Sequence, residues 1–171
     1  LGGPNGFQVL DFDIKDIGGT PYIFMAGKHS RRTWSFFKSC NLETMQCFEK
    51  KDYIGQNDIT RRFMRLSVNN EGTIIYFSSN INGDLVGHTL EADGTAFALG
   101  AETRRCSAVN DPNLTSEVMF ATGVEVSPDD SDIVYISSHF NHAVQKLQLT
   151  DDDCTVVTSV GAGVGSISSN T

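Results

Sequence analysis

Apolar and polar residues alternate with a period of two over short stretches of this chain. Leu10, Phe12 and Ile14 alternate with Asp11 and Asp13, Met64, Leu66 and Val68 alternate with Arg65 and Ser67, and Val124 and Val126 flank Glu125. Successive side chains of a strand point to opposite faces, so each set predicts a β-strand with one buried face. Few windows carry apolar residues at the i, i+3, i+4, i+7 spacing of a helix. The predicted fold is all-β, and no run of about 18 apolar residues predicts a membrane span.

The strands recur as a unit. The stretch MRLSVNNEGTIIYFSSNINGDLVGHTL aligns with TGVEVSPDDSDIVYISSHFNHAVQKLQL with one residue inserted in the turn, so that Tyr76 meets Tyr135, Leu85 meets Val144 and Leu90 meets Leu149. An earlier, looser copy is LDFDIKDIGGTPYIFMAGKHSRRTWSF, in which Tyr22 stands 54 residues before Tyr76. In the third copy the strands are expected at 123–127, 132–138, 143–149 and 155–160. Turns separate them: Ser127-Pro128-Asp129-Asp130 has Pro where its fixed φ suits a type I turn, and Asn69-Asn70-Glu71-Gly72 offers Asn and Gly for positive φ. Internal repeats of this length mark solenoids, propellers or arrays. Four short antiparallel strands per unit is the blade of a β-propeller, so the reading is a β-propeller-like chain of three four-stranded antiparallel blades, at about 7–55, 62–101 and 120–162, in one β-repeat domain over 1–171. A β-sandwich is the alternative, since short alternating strands with regular turns build both.

The third unit also resembles a known family. GVEVSPDDSDIVYISSHFNHAVQKLQL is similar to one blade of the NHL and YVTN-type propellers, through Gly123, Val124, Val126, Pro128, Asp129, Val134, Tyr135, Asn141, His142, Val144, Gln145, Lys146 and Leu147. The second copy matches in part, with Asn82-Gly83 in place of Asn141-His142, and the first keeps only the strand spacing. The resemblance implies blades arranged around an axis, with the first strand of each near it. It also implies binding of small molecules, carbohydrate, protein or RNA, or in some propellers of related shape hydrolase or lactonase activity; fold alone does not choose among these. A closed propeller has about four to eight blades, and three would expose a flank on each side. Such apolar flanks invite association, so a second chain, stacking into a filament, or flanking blades in a longer chain are expected to cover them. The start at Leu1-Gly2-Gly3-Pro4-Asn5-Gly6 and the Gly- and Ser-rich end from Gly161 fit the expectation of a segment of a longer chain.

Composition narrows the partners. A net charge of -8 with basic residues only in scattered pairs argues against nucleic acid, whose binding needs a basic stripe. Four cysteines permit two disulfides in three connectivities. Cys40 and Cys47 bracket a stretch of hairpin-loop length and are expected to meet across a turn, which leaves Cys106 and Cys154 as the remaining pair. No Cys/His cluster has zinc spacing. With the sequon Asn113-Leu114-Thr115 as a glycosylation site, the cysteines point to an extracellular or cell-surface setting.

Candidate chemistry is sparse. His139 and His142 stand three apart in SSHFNHAVQKLQL, but zinc needs three or four ligands, and the second copy has Asn80 in the place of His139 and Asn82 in that of Asn141, with no imidazole at either place. These five residues are read as strand-connection residues and as the candidate ligand contacts, without a metal. The acidic turns Asp129-Asp130-Ser131-Asp132 and Asp151-Asp152-Asp153 offer oxygens for calcium but lack the EF-hand pattern, and read as solvated turn acids. The pairs Ser78-Ser79 and Ser137-Ser138 read as strand-end caps. Trp34 reads as packing in the third strand of its unit. No G-x-S-x-G, P-loop or H-E-x-x-H is present. The sequence therefore predicts a non-catalytic module for protein or glycan binding and assembly, or a component of an extracellular fibre. The competing reading is a metal-assisted hydrolase or lactonase of propeller type.

Overall fold

The computed structural model describes residues 7–29, 35–51, 63–79, 85–92, 96–106, 121–138, 143–150 and 154–161. They form twelve strands: β1 (Phe7–Ile17), β2 (Thr20–His29), β3 (Ser35–Asn41), β4 (Cys47–Lys51), β5 (Phe63–Val68), β6 (Ile74–Ser79), β7 (Leu85–Ala92), β8 (Phe97–Cys106), β9 (Ala121–Val126), β10 (Ile133–Ser138), β11 (Ala143–Leu149) and β12 (Cys154–Gly161). No helix occurs among the described residues. The strands make three four-stranded sheets in sequence order, β1 to β4, β5 to β8 and β9 to β12, every neighbouring pair antiparallel. Among the described residues strands pair only within their own unit, which gives three sheets rather than the two of a sandwich.

Alternation puts an apolar layer on each side of the middle sheet. Phe24, Ala26 and Phe37 of the first sheet pack with Leu66, Val68, Ile75, Phe77, Val86, Leu90 and Leu99 of the second. On the opposite face Tyr76, Leu85 and Cys106 pack with Val124, Val126, Val134, Ile136, Leu147 and Leu149 of the third sheet. Rings occupy the first interface: Phe37 meets Phe77 edge-on at 6.2 Å and Tyr22 meets Phe97 edge-on at 4.8 Å. Edge-to-face contact places the positive rim of one ring on the negative face of the other. Buried polar atoms there are paired: Ser39 Oγ donates to the Phe97 carbonyl (2.6 Å) and accepts from the Phe97 amide (2.9 Å), joining β3 to β8.

The turns explain a shift in the repeat. Gly18 and Gly19 have φ of 63° and 83°, the two positive values of a type I′ hairpin, and they close the tight turn Ile17↔Thr20. The second sheet instead turns through a longer loop that Asn69 holds, accepting from the amides of Thr73 (2.8 Å) and Ile74 (2.9 Å). There only Gly72 takes positive φ, at 67°; Asn69 and Asn70 do not. Across the hairpins Asp13 lies opposite Phe24, Ser67 opposite Tyr76, and Glu125 opposite Tyr135. Phe24, not Tyr22, thus holds the place of Tyr76, because the strands of the first hairpin run further before their tight turn: Asp13 and Phe24 are 11 residues apart, Ser67 and Tyr76 only 9.

Two disulfides are present. Cys40 and Cys47 are register partners on β3 and β4, with Cα atoms 4.1 Å apart. Cys106 at the end of β8 bonds Cys154 at the start of β12, with Cα atoms 5.6 Å apart, and so ties the outer edges of the second and third sheets.

Candidate functional site

The first strands of the sheets lie side by side, and side chains rather than a β-ladder join them. Asp11 Oδ2 accepts from the Leu66 amide (3.1 Å) and Asp13 Oδ2 from the Val68 amide (2.8 Å). One sheet on, Ser67 Oγ accepts from the Val126 amide (3.1 Å), and the Asn70 side chain donates to the Ser127 and Pro128 carbonyls, both at 3.0 Å. Both series advance in the same chain direction, so β1, β5 and β9 run parallel to one another. The Arg65 guanidinium also donates to the Leu10 carbonyl. The Asp11, Asp13 and Ser67 bonds satisfy backbone amides on the edge of the next first strand, and the Asn70 and Arg65 side chains satisfy backbone carbonyls.

Asp13, Ser67 and Glu125 are therefore one repeated position: an acceptor on the first strand beside an aromatic on the second. The first two each bind the next sheet's edge. Glu125 sits on the outer face of the third sheet, where no described sheet follows. Partial burial raises its carboxyl above the ordinary carboxylate range, Asp13 and then Asp11 raise it further, and Lys15 lowers it. Tyr135 lies opposite it on β10. A raised folded-state value means that folding takes up a proton, so the stability contribution is complete at low pH and is lost as pH rises through the folded value. Denaturant midpoints measured from about pH 4 to about pH 8 are expected to fall for the wild type relative to Glu125→Gln as pH increases, with the two converging at the acidic end.

The other candidate residues divide into those placed and those not. Asn80, Asn82, Asn113, His139, Asn141, His142, Trp34 and the acidic turn 151–153 lie outside the described residues. Ser78 pairs with Leu85 and Ser138 with Ala143 at the described strand ends. In the other acidic turn the Asp130 carboxylate accepts from the Asp132 amide (2.9 Å) and Ser131 Oγ donates to Glu71 (2.6 Å), so these groups organise the turn and dock it on the second sheet. Among the described residues no three His, Cys, Asp or Glu side chains gather as a metal site. Ser78 is not a strand-end cap: its hydroxyl is fully buried and makes no hydrogen bond among the described residues, since the strand pairing on both sides leaves it facing the second interface.

Gln145 is the second anomaly. It is 2% exposed in the interface between the second and third sheets, and neither polar atom of its amide has a partner among the described residues. An unsatisfied buried amide costs about 1–3 kcal/mol. Gln145→Leu is expected to raise unfolding free energy by about 1 kcal/mol or more, read from urea denaturation.

No family profile and no curated protein sequence matches the chain. Solved structures do match. The chain is similar to hydrazine synthase of Kuenenia stuttgartiensis, with 11% identity and a TM-score of 0.58 over 94% of this chain and 37% of that one. It is also similar to the Cps50 (Swd1) β-propeller domain of Myceliophteria thermophila, with 9% identity and a TM-score of 0.58 over 90% of this chain and 41% of that one. The fold is a β-propeller fold. The chain spans about two fifths of the length of the propeller domain it matches. Each sheet is a blade, β1, β5 and β9 are the inner strands around the axis, and β4, β8 and β12 are the rim.

Each end of this array carries an open flank. Phe12 and Ile14 on β1 are 58% and 52% exposed, whereas Leu66 and Val68 on β5 are 2% and 0%, and Val124 and Val126 on β9 are 7% and 1%. The difference is the blade packed in front. At the other end Val144 is 46% exposed, whereas Leu85 at the same place in the second blade is 2% exposed. Sequence reasoning found the flanks from the blade number but missed the acceptor position, which three different residue types fill.

Proposed function

We propose that the chain is a non-catalytic binding and scaffold module, one domain over residues 1–171, that works outside the cell through protein contacts at its open flanks. The observation that carries this is the exposure of Phe12 and Ile14, at positions the other two blades bury. Apolar area of this kind is stabilised by removal from water, at roughly 25 cal/mol per Å². The two disulfides suit an oxidising compartment. An NHL or YVTN character, glycan contacts through Asn80, Asn82, His139, Asn141 and His142, glycosylation at Asn113 and a place in an extracellular fibre belong to the same proposal.

A photo-crosslinking amino acid at position 12 or 144, in the protein made by its native cells, tests the reading. Protein adducts at both positions, well above those from a control at the exposed turn residue Asp129, are expected. Equal yields at all three positions would sink the proposal.

A further inference from the structure

The two flanks are complementary, residue by residue. We infer that they are each other's partner: the open flank of the third blade in one copy receives the first blade of a second copy, Glu125 accepting the edge amide of Ile14, and two copies close a ring of six blades. This rests on the flank-binding reading above and names its occupant.

The repeat itself supplies the argument. Wherever two blades meet inside the chain, an inner-strand side chain accepts an amide from the next inner strand: Asp13 from Val68, and Ser67 from Val126. Glu125 holds the acceptor place of Asp13 and Ser67, opposite Tyr135 as they lie opposite Phe24 and Tyr76. Ile14 holds the donor place, one residue after Asp13 as Val68 follows Ser67 and Val126 follows Glu125. In an antiparallel pair the hydrogen-bonded and non-hydrogen-bonded positions alternate. Counting back from the closing pair Ile17↔Thr20 of the tight turn, Lys15 and Asp13 pair with β2 through their own backbone, while Ile14 and Phe12 direct their amides to the open edge. One end of the chain therefore presents an acceptor and the other presents donors in the same register.

The side chains agree. Phe12 and Ile14 match the residues that fill the two internal interfaces, and Val144 matches Leu85, which receives such residues from the third blade. A contact between unlike flanks is heterologous and builds a ring only if the rotation closes. Two copies supply six blades, within the range of about four to eight that propellers use. Unpaired strand edges are otherwise a template for uncontrolled association, which ring closure removes.

Sedimentation equilibrium of the purified, oxidised chain tests this. A species of twice the 18.6 kDa chain mass is expected at tens of micromolar or below. Glu125→Ala is expected to weaken association roughly tenfold or more, and Phe12→Asp with Ile14→Asp to abolish it. All three sites are exposed in a single copy, so melting curves of dilute variants report whether folding is intact. The decisive arm is mixing: a Glu125→Arg, Val144→Asp chain and the Phe12→Asp, Ile14→Asp chain, each monomeric alone, retain one compatible pair of flanks and are expected to form a 1:1 complex. A wild-type monomer, open polymers, a dimer indifferent to these substitutions, or no complex on mixing would overturn the inference. Crosslinks from position 12 to a different protein would overturn it too, while leaving the flank-binding function standing.

Discussion

Replacing Cys106 and Cys154 together with serine is expected to lower the free energy of unfolding by about 4 kcal/mol, because a loop of 48 residues is released in the unfolded chain. The bond joins β8 of the second blade to β12 of the third, so its loss also frees the rim of the third blade, whose rim strand has only β11 beside it. The Cys40–Cys47 bond spans 7 residues within one hairpin, and the same chain-entropy relation gives it about 2 kcal/mol. Urea denaturation of the two double-serine variants under oxidising conditions measures both. The larger loss is predicted for the inter-blade bond. Equal losses would show that the bond does not constrain the packing of the two blades.

Phe77→Ala is expected to cost about 3–5 kcal/mol, whereas Phe12→Ala in dilute protein is expected to change stability by no more than about 0.5 kcal/mol. Phe77 is fully buried between the first two blades, edge-on to Phe37 and 6.0 Å from the His88 ring. Its removal leaves a cavity that neighbouring β-sheet backbone cannot collapse to fill. Phe12 is the same residue type at an open flank, and a lone copy loses little when it is cut back. Paired denaturation curves at low concentration provide the comparison. A large loss at Phe12 in a demonstrably monomeric sample would mean that the flank is already covered.

Much of this architecture is legible in the sequence because strand alternation is a local property. The sets around Phe12, Leu66 and Val124 give the inner strands, and the recurrence from Tyr76 to Tyr135 gives the second and third units. The first unit is harder to align. Its Tyr22 matches Tyr76 in letter, but the Gly18-Gly19 turn shifts the register so that Phe24 takes the place. The acceptor position was hidden for a different reason. Asp13, Ser67 and Glu125 share no residue type, and what Asp13 and Ser67 bind is backbone in another blade, 55 residues away for Asp13 and 59 for Ser67. A polar residue in an alternating strand reads as solvent-facing, so Asp11 and Asp13 look like the wet side of β1 until the neighbouring blade is in place. Gln145 is concealed in the same way: its counterpart in the second blade is the buried Val86, and nothing local says that an amide lies between sheets. The Asn and His residues singled out in the connections at 80–82 and 139–142 lie outside the described residues, and their part in binding rests on the proposal above.

Residue-resolved amide hydrogen exchange, followed from dilute to concentrated protein, tests most directly whether the flank of the first blade is a binding surface. The amides of Val68 and Val126, held by Asp13 and Ser67, are predicted to exchange slowly throughout. The amide of Ile14, at the same place in the repeat, is predicted to exchange fast when the protein is dilute and to become as slow as theirs when copies associate. An Ile14 amide that is slow in the isolated chain, or fast at every concentration, would contradict the account.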